Sequence, residues 1–330
     1  MKEQFVRDLK EGDRILSFFM IRHKQLEYFR DRTRGQFLTL VLSDKTGQIL
    51  ARVWEKALEL AETFDEGDVV KVLGEVEEYL GRPQVIVRKL RLAKEDEYEL
   101  EDFLPHTERD IEEMLTKVRE TIASVENPYL RALLDKFFAD EEFVAAFSRA
   151  PAARRIHHAY LGGLLEHTVE VIALCQTVIA LYPQIHRDLL LTGALLHDVG
   201  KTRELTYERD IDYSDEGRLL GHVVLSERMI TERMAEIPDF PPELALRLRH
   251  LILSHHGRYE WGSPRRPKTL EACALHYIEN LDAQVNRFAQ IIAARRDKTK
   301  PWTEYDSLLK RYLYAGQEEE LAVEEAGPLE

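Results

Sequence analysis

Short runs of alternating apolar and polar residues fill the first part of the chain, and such alternation is typical of β-strands. Turn-forming sequences separate the runs, among them Asp44-Lys45-Thr46-Gly47. A segment with helical spacing, Glu55–Phe64, lies between the third run and the fourth. The predicted strands are Arg14–Ile21, Phe37–Ser43, Gln48–Trp54, Val69–Val76 and Gln84–Leu92.

From Thr107 to about Leu313 the apolar positions recur at helical spacing instead. Helices are predicted at residues 108–126, 128–138, 140–149, 158–182, 187–198, 217–236, 242–256, 269–297 and 303–314. Five strands with a helix between the third and fourth are the layout of an OB barrel. The pattern therefore predicts a multidomain protein, with an all-β OB barrel followed by an all-α domain. The predicted bounds are 1–93 for the barrel, 94–106 for an acidic linker, 107–314 for the helical domain and 315–330 for an acidic tail.

The formal net charge of −14 is unevenly distributed, and its distribution matters more than its sum. Residues 1–93 hold 17 Lys and Arg against 16 Asp and Glu, so the barrel is near neutral. The acid concentrates in Lys94–Phe103 and in the tail, which we expect to be solvated. The net charge therefore does not exclude a local basic groove for nucleic acid.

Cysteine content and hydropathy indicate the compartment. Cys175 and Cys273 are too few and too far apart for a disulfide framework, which favours a reducing environment. The N-terminus lacks the apolar run of a signal peptide. No stretch reaches the roughly 18–20 apolar residues that cross a bilayer. We expect a cytoplasmic protein with no membrane partner.

The barrel carries candidate contacts for single-stranded nucleic acid. The stretch Phe37–Trp54 resembles the first hairpin of OB families that bind tRNA and single-stranded nucleic acid. Phe37 and Trp54 are candidate stacking residues, and Arg22 and Lys24 lie near the loop between the first two strands. Strand alternation sends about half of the barrel aromatics into the core, and a solvated loop equally explains the charges.

Histidines and aspartates lie on or at the ends of predicted helices in the second domain. They are His167, His197, Asp198, His222, His255, His256 and Asp282. Imidazole and carboxylate are good ligands for divalent ions such as Mn²⁺, Fe²⁺, Co²⁺, Zn²⁺ and Mg²⁺. Because thiolates are lacking, the cluster indicates an open catalytic site with a bound water rather than a closed structural zinc site.

The order of these residues resembles a known pattern. His167, His197-Asp198 and Asp282 are similar to the H…HD…D pattern of HD-domain phosphohydrolases, over about residues 150–295. The remaining histidines resemble those of HD proteins that hold two ions. The resemblance implies two divalent ions, with Mn²⁺ the foremost candidate. One would be held by His167, His197, Asp198 and Asp282, and the other by Asp198, His222 and His255 or His256.

A narrower resemblance covers nearly the whole chain. HHAYLGGLLEHT, LLHDVGK, LSHHG, the loop Trp261-Gly262-Ser263-Pro264 and ALHYIENLDA resemble the YhaM-type 3′→5′ exoribonucleases, which also carry an N-terminal OB domain. Three positions depart from that family: Glu279, Asn280 and Gln284 stand where it often has an Asp-rich stretch and a Lys.

Further residues are candidates for chemistry and for substrate contact. Asp198 is a candidate catalytic residue as well as a ligand. Lys201 follows His197 by four residues, on the same helical face, from which it could bind a phosphate oxygen. One of the adjacent His157 and His158 is expected to contact substrate or a ligand. The loop cations Arg265, Arg266 and Lys268 are candidates for steering a phosphate backbone, with exposed loop charge as the alternative.

Three functions stay open at this point. The first is a metal-dependent 3′→5′ exonuclease that hydrolyses single-stranded RNA to 5′-mononucleotides, with single-stranded DNA as a further candidate substrate. The second is an HD-type hydrolase of small nucleotides, such as a dNTP, guanosine tetraphosphate or a cyclic dinucleotide. The third is a nucleic-acid-binding factor with a weak or vestigial site. A barrel suits a polymer better than a free nucleotide, so we favour the first. A homo-oligomer is also left open.

Overall fold

The computed structural model describes residues 2–154, 158–207, 210–295 and 299–316 of the chain. The chain divides into two compact units. Unit 1 comprises Met1–Glu108 and Leu205–Tyr213, and unit 2 comprises Arg109–Glu204 and Ser214–Glu330. The candidate His157, the last residues of the predicted helix 269–297 and most of the predicted tail lie outside the described residues.

Unit 1 is a closed five-stranded barrel, as predicted. Its strands are β1 (Arg14–Tyr28), β2 (Gln36–Asp44), β3 (Gly47–Val53), β4 (Val69–Tyr79) and β5 (Arg82–Leu92), with helix α1 (Ala57–Ala61) between β3 and β4. The strand order around the barrel is β1-β2-β3-β5-β4. Inward-facing apolar side chains such as Phe19, Leu40 and Val72 are fully buried. The alternation of apolar and polar residues therefore corresponds to side chains that face the barrel core and the solvent in turn.

Strand β1 is longer than predicted, because it pairs with two neighbours in succession. Residues Arg14–Met20 pair with β4, and Met20–Tyr28 pair with β2. The register with β2 shifts between Ile21 and His23, which is a β-bulge. Such a bulge bends a strand and increases its twist. Strand β1 therefore pairs with both β2 and β4, and this double pairing closes the barrel.

The acidic segment after the barrel differs from the solvated linker that the sequence predicts. Phe103 and Leu104 are buried, and the ring of Phe103 packs edge-on against Tyr98 at 5.5 Å. The backbone N–H of Lys45 donates to Asp102 O at 2.9 Å. Burial of two large apolar side chains outweighs the solvation of the surrounding acids, so this segment belongs to unit 1.

Unit 2 is helical, and most of its helices lie where they are predicted. They are α2 (Ile111–Ala123), α3 (Pro128–Phe138), α4 (Glu141–Arg149), α5 (Gly163–Leu181), α6 (Arg187–Leu196), α7 (Lys201–Glu204), α8 (Asp215–Leu220), α9 (His222–Met234), α10 (Pro242–Ser254) and α11 (Leu270–Ala293). A two-stranded hairpin, β6 (Leu205–Thr206) and β7 (Asp212–Tyr213), interrupts this helical part of the chain and belongs to unit 1; it was not predicted.

Two helix predictions are wrong. The predicted helix 217–236 is broken at Gly221, whose φ of +72° is readily adopted only by glycine, so that α9 begins at His222. Residues 303–314 form no helix. There the Asp306 carboxylate accepts hydrogen bonds from the backbone N–H groups of Leu308 and Leu309, which favours a turn over a helix.

Helix α5 is the central helix of unit 2, and it packs against α2, α4, α6 and α11. Its 19 residues are long and apolar enough to cross a membrane, contrary to the expectation that no such stretch exists. In its most apolar window, 44% of the helix is buried inside the structure. The same helix presents His167 to the interior.

Candidate metal centre

Helix ends bring the predicted ligands of the HD motif together. His197 is the residue that ends α6, Asp198 follows it, and His255 ends α10 in the same way. At a helix end the chain leaves the helical path, so adjacent side chains such as His197 and Asp198 can reach one point. His167, from the second turn of α5, completes the group. The side chains of these four residues are almost completely buried.

A first group of donors consists of His167, His197 and Asp198. The Nε2 atoms of His167 and His197 lie 3.2 Å apart. Asp198 Oδ2 lies 3.7 Å from His167 Nε2 and 3.4 Å from His197 Nε2. Three donor atoms at these separations can bind one divalent ion together.

A second group consists of His222, His255 and His256. The Nε2 atoms of His222 and His256 lie 2.8 Å apart. The other oxygen of the shared aspartate, Asp198 Oδ1, lies 3.4 Å from His222 Nε2 and 3.6 Å from His255 Nε2. Asp198 thus faces one group with each oxygen, which is the bridging position that the sequence predicts for it.

Unsatisfied polar atoms support a metal at this place. Asp198 Oδ1 and His255 Nε2 are buried and have no hydrogen-bond partner among the described residues. The Nδ1 atoms of His197 and His255 donate to the backbone carbonyls of Ala194 and Ile252, at 2.8 and 2.7 Å. Each imidazole therefore directs an unprotonated Nε2 toward the centre. Leaving such atoms unpaired is costly, and a divalent ion is the partner that this donor set fits.

The protonation states also suit a cation. Burial lowers the pKa of His197 to about 4, and burial likewise lowers the pKa values of His255 and His256 well below the usual range. Burial alone would raise the pKa of Asp198, but Lys201 and the surrounding imidazoles outweigh it and hold that pKa well below its usual range. His197, His255 and His256 are therefore neutral at neutral pH, and Asp198 is a charged carboxylate.

Asp282 occupies a different position from the one implied by the family pattern. Its Oδ2 accepts a hydrogen bond from His167 Nδ1 at 2.6 Å, on the side of the ring that faces away from His197. The structure therefore groups Asp282 with His158 and His167. In this arrangement Asp282 orients His167, and its role as a direct ligand stays a prediction.

His158 lies behind Asp282 rather than at an exposed surface. Its Nε2 is 3.4 Å from Asp282 Oδ2 and 3.3 Å from Glu170 Oε2, and the side chain is fully buried. Its φ of +49° is unusual for a residue other than glycine, so the surrounding contacts must hold it there. This position indicates that His158 supports Asp282, and the predicted contact with substrate stays untested.

Lys201 is buried beside the centre, with its Nζ 2.6 Å from Asp198 Oδ2. Burial alone would lower the pKa of this ammonium, but the charge of Asp198 outweighs it and raises the pKa. The ammonium thus remains charged and stabilises the carboxylate. The predicted contact of Lys201 with phosphate stays a prediction, because its charge is paired with Asp198 in this structure.

Two carboxylates of the centre were missed by the sequence analysis as functional residues. Glu279 is buried and lies 3.8 Å from His256 Nδ1, and burial together with Asp198 raises its pKa to about 8. It precedes Asp282 by three residues on α11, a spacing that could have revealed it. Glu204 binds His222 from a separate element, and no local signal indicates that contact.

We expect Glu204→Gln to weaken the binding of Mn²⁺ at His222 by about 10–100-fold. Glu204 Oε1 accepts hydrogen bonds from both His222 N and His222 Nδ1, at 2.8 and 2.9 Å, and so directs Nε2 toward the centre. Isothermal titration of Mn²⁺ into metal-free protein measures the affinity. The matched control is Glu216→Gln, which removes a carboxylate paired with Arg228 on the surface. Equal affinities of the two variants would contradict this role of Glu204.

The loop cations predicted to contact substrate lie in two different depressions. Arg266 lines a cavity next to the loop that follows His256. Arg265 and Lys268 line another depression, against the outer face of α10. The backbone N–H of Lys268 donates to His250 Nε2 there, at 2.9 Å. Of the three, only Arg266 shares a cavity with Gly257, the residue that follows His256.

In the barrel the predicted stacking residues meet, and the predicted cations have protein partners. The rings of Phe29, Phe37 and Trp54 lie 5.0–5.7 Å from one another. Arg22 pairs with Asp210 of the β6–β7 hairpin at 2.9 Å. Lys24 Nζ donates to the carbonyls of Ala61, the last residue of α1, and Phe64, three residues later, and pairs with Asp65. The contact of Arg22 and Lys24 with nucleic acid stays a prediction.

Comparisons with known proteins agree with both units. The model of the HD domain matches residues 164–284, and that of the OB-fold nucleic acid binding domain matches residues 20–93. The 3′-5′ exoribonuclease YhaM of Geobacillus sp. (strain WCH70) is 38% identical over 266 residues, which cover 80% of each chain. That of Bacillus subtilis (strain 168) is 39% identical over 81% of this chain and 84% of the relative. The 3′-5′ exoribonuclease YhaM of Bacillus velezensis is 40% identical over 83% of this chain and 86% of the relative. The predicted OB barrel and HD domain are both confirmed.

Proposed function

Because this chain belongs to the family of the 3′-5′ exoribonuclease YhaM, we propose that it hydrolyses single-stranded RNA from the 3′ end with divalent metal ions. The observation that carries the proposal is the convergence of two groups of donors on Asp198. Such a centre suits a phosphodiester, whose hydrolysis needs neutralisation of charge and in-line attack. The products would be 5′-mononucleotides and a strand with a new 3′-hydroxyl.

We assign two ions to the centre, with Mn²⁺ favoured and Fe²⁺, Co²⁺, Zn²⁺ or Mg²⁺ as alternatives. His167, His197 and Asp198, with Asp282 beside them, would hold the first. His222, His255 and His256 would hold the second together with the other oxygen of Asp198. When bound, the ions would neutralise charge at the attacked phosphate and would lower the pKa of the attacking water.

The protein's own side chains fix the geometry of this centre. Lys201 stabilises the Asp198 carboxylate from the interior, at 2.6 Å. Carboxylates hold His222 and His167 from their Nδ1 sides, so neither ring needs to rotate when substrate binds. In hydrolysis, the oxygen of water bonds to phosphorus, the bond from phosphorus to the 3′-oxygen breaks, and that oxygen takes up a proton. Because these side chains are already fixed, little rearrangement of the site is needed during the reaction.

The barrel would hold the strand through its aromatic cluster. Trp54 is 42% exposed, and it lies beside Phe29 and Phe37. The guanidinium groups of Arg34 and Arg52 lie over the rings of Phe29 and Phe37, at 4.7 and 5.3 Å. Aromatic rings with interleaved arginine bind single strands with little sequence preference. Stacking does not require a 2′-hydroxyl, so the proposal includes single-stranded DNA as a weaker substrate.

We further propose that the protein acts in the cytoplasm. Both cysteines, Cys175 and Cys273, are free thiols, and Cys273 is exposed, as suits a reducing compartment. Fractionation of cells that produce the protein at its native level is the test. Recovery with the soluble cytoplasmic fraction is the expected result, and recovery with membranes would contradict it.

The activity is tested with a 5′-labelled single-stranded RNA, Mn²⁺ and the full-length protein. We expect a ladder of products that shortens from the 3′ end, release of 5′-mononucleotides, and no reaction in excess EDTA. A panel of dNTPs, guanosine tetraphosphate and cyclic dinucleotides is run beside it. Turnover of that panel without shortening of RNA would assign the protein to the small-nucleotide hydrolases instead. Binding of RNA without any turnover would indicate a binding factor.

A further inference from the structure

A cavity of about 570 Å³ lies between the loop that follows the candidate ligand His256 and the first half of α11. Its lining includes Gly257, Arg258, Glu260, Arg266, His276 and Tyr277. Pockets for small ligands usually measure about 300–1,000 Å³, so one nucleotide fits. Its wall contacts the backbone of two candidate ligands, since His276 Nδ1 donates to His255 O at 2.8 Å and Arg258 N donates to His256 O at 2.9 Å.

The loop is held in one conformation. Gly257 has a φ of +70°, and a Cβ there would lie 2.4–2.5 Å from the ring of His276, so a glycine is required. Further along, Ser263 N donates to Arg258 O at 3.1 Å, and Ser263 Oγ donates to Arg265 O at 2.6 Å. The cavity is therefore formed before any ligand arrives, which lowers the entropic cost of binding.

Aromatic and cationic groups give the cavity an affinity for a nucleotide. Tyr277 lines it and is 66% exposed. The guanidinium of Arg258 lies 4.7 Å over the ring of Trp261, and that of Arg266 lies 5.0 Å over the ring of Tyr259. These contacts orient both cations while leaving them charged. A base can stack on Tyr277, and the two guanidinium groups can pair with a phosphate.

Hydrogen-bond acceptors complete the lining. Because His276 Nδ1 donates to a carbonyl, its Nε2 is an acceptor, and this buried side chain lines the cavity. Glu260 also lines it and brings a carboxylate. Two acceptors suit two hydroxyl donors. The terminal ribose of an RNA carries such a pair, its free 2′- and 3′-hydroxyls.

We propose that this cavity binds the 3′-terminal nucleoside of RNA, with the base on Tyr277 and the ribose hydroxyls on Glu260 and His276. This inference rests on the proposed exonuclease function. It explains how the enzyme selects an end, since a 3′-phosphate would place negative charge against the Glu260 carboxylate. Repulsion between like charges in such a site disfavours binding strongly.

The test compares two RNAs of one sequence, one with a 3′-hydroxyl and one with a 3′-phosphate. We expect kcat/KM of the wild-type protein in Mn²⁺ to favour the hydroxyl end by about 100-fold. Glu260→Gln removes the charge and keeps the shape, so it should reduce that ratio about 10-fold. Tyr277→Ala should lower kcat/KM for both ends about 10-fold and leave the ratio unchanged. Glu243→Gln, an exposed acid at the start of α10, is the control and should change neither.

The outcomes separate this inference from the proposed function. A normal ladder from the wild-type protein with equal rates on both ends overturns the inference alone. The inference is also overturned if Glu260→Gln keeps the wild-type ratio of kcat/KM between the two ends. Full activity of Tyr277→Ala would overturn it as well. Absence of any ladder overturns both the exonuclease assignment and the end-binding cavity.

Discussion

Asp198→Asn is expected to lower the rate of RNA hydrolysis in Mn²⁺ by at least about 10³-fold. Asp198 is the one described carboxylate that faces both groups of donors, at 3.4–3.7 Å from four imidazole nitrogens. An amide keeps the shape but supplies no negative charge, so the affinity for both ions should fall together. The rate is measured on 5′-labelled RNA, and the bound metal is measured by titration.

The control for this variant addresses folding. Asp198→Asn leaves Lys201 buried without its partner, and an uncompensated buried charge destabilises a protein strongly. The double variant Asp198→Asn with Lys201→Met removes that charge and should recover the thermal stability but not the activity. Hydrolysis near the wild-type rate by either variant, once it is shown to be folded, would contradict the bridging role.

Trp54→Ala is expected to raise the Kd for a long single-stranded RNA by about 5–100-fold. Trp54 is the most exposed ring of the cluster with Phe29 and Phe37, so its loss removes a stacking surface with little effect on the core. Hydrolysis of a dinucleotide, which is too short to need the barrel, should stay within about twofold. Fluorescence anisotropy of labelled RNA of several lengths measures the binding.

Tyr182→Ala is the matched control, because Tyr182 is an aromatic residue of unit 2 that is exposed to a similar degree. Its affinity for RNA should equal that of the wild-type protein. Equal loss of activity on long and short substrates in Trp54→Ala would mean that the ring has a structural role. Substitution is more specific than deletion of the barrel, since unit 1 also includes Leu205–Tyr213 from later in the chain.

The sequence predicts the local structure well because local structure depends on short-range pattern. Alternation identifies the five strands, and helical periodicity identifies α5, α6, α10 and α11 within a few residues. Failures occur where a single side chain or glycine decides the conformation. Gly221 breaks a helix and Asp306 prevents one, and neither effect changes the apolar pattern.

For the metal centre too, the sequence predicts one part and the tertiary structure decides another. Residue type and order by themselves determined that this protein carries a His and Asp site of the HD kind after an OB barrel. Only the tertiary structure decided which atom of each ligand faces the centre. The bond from His167 to Asp282 joins residues 115 apart, and the bond from His222 to Glu204 joins different elements. The pairing and burial of such groups depend on how the helices pack, and packing sets both the orientation of each imidazole and the charge on Asp198.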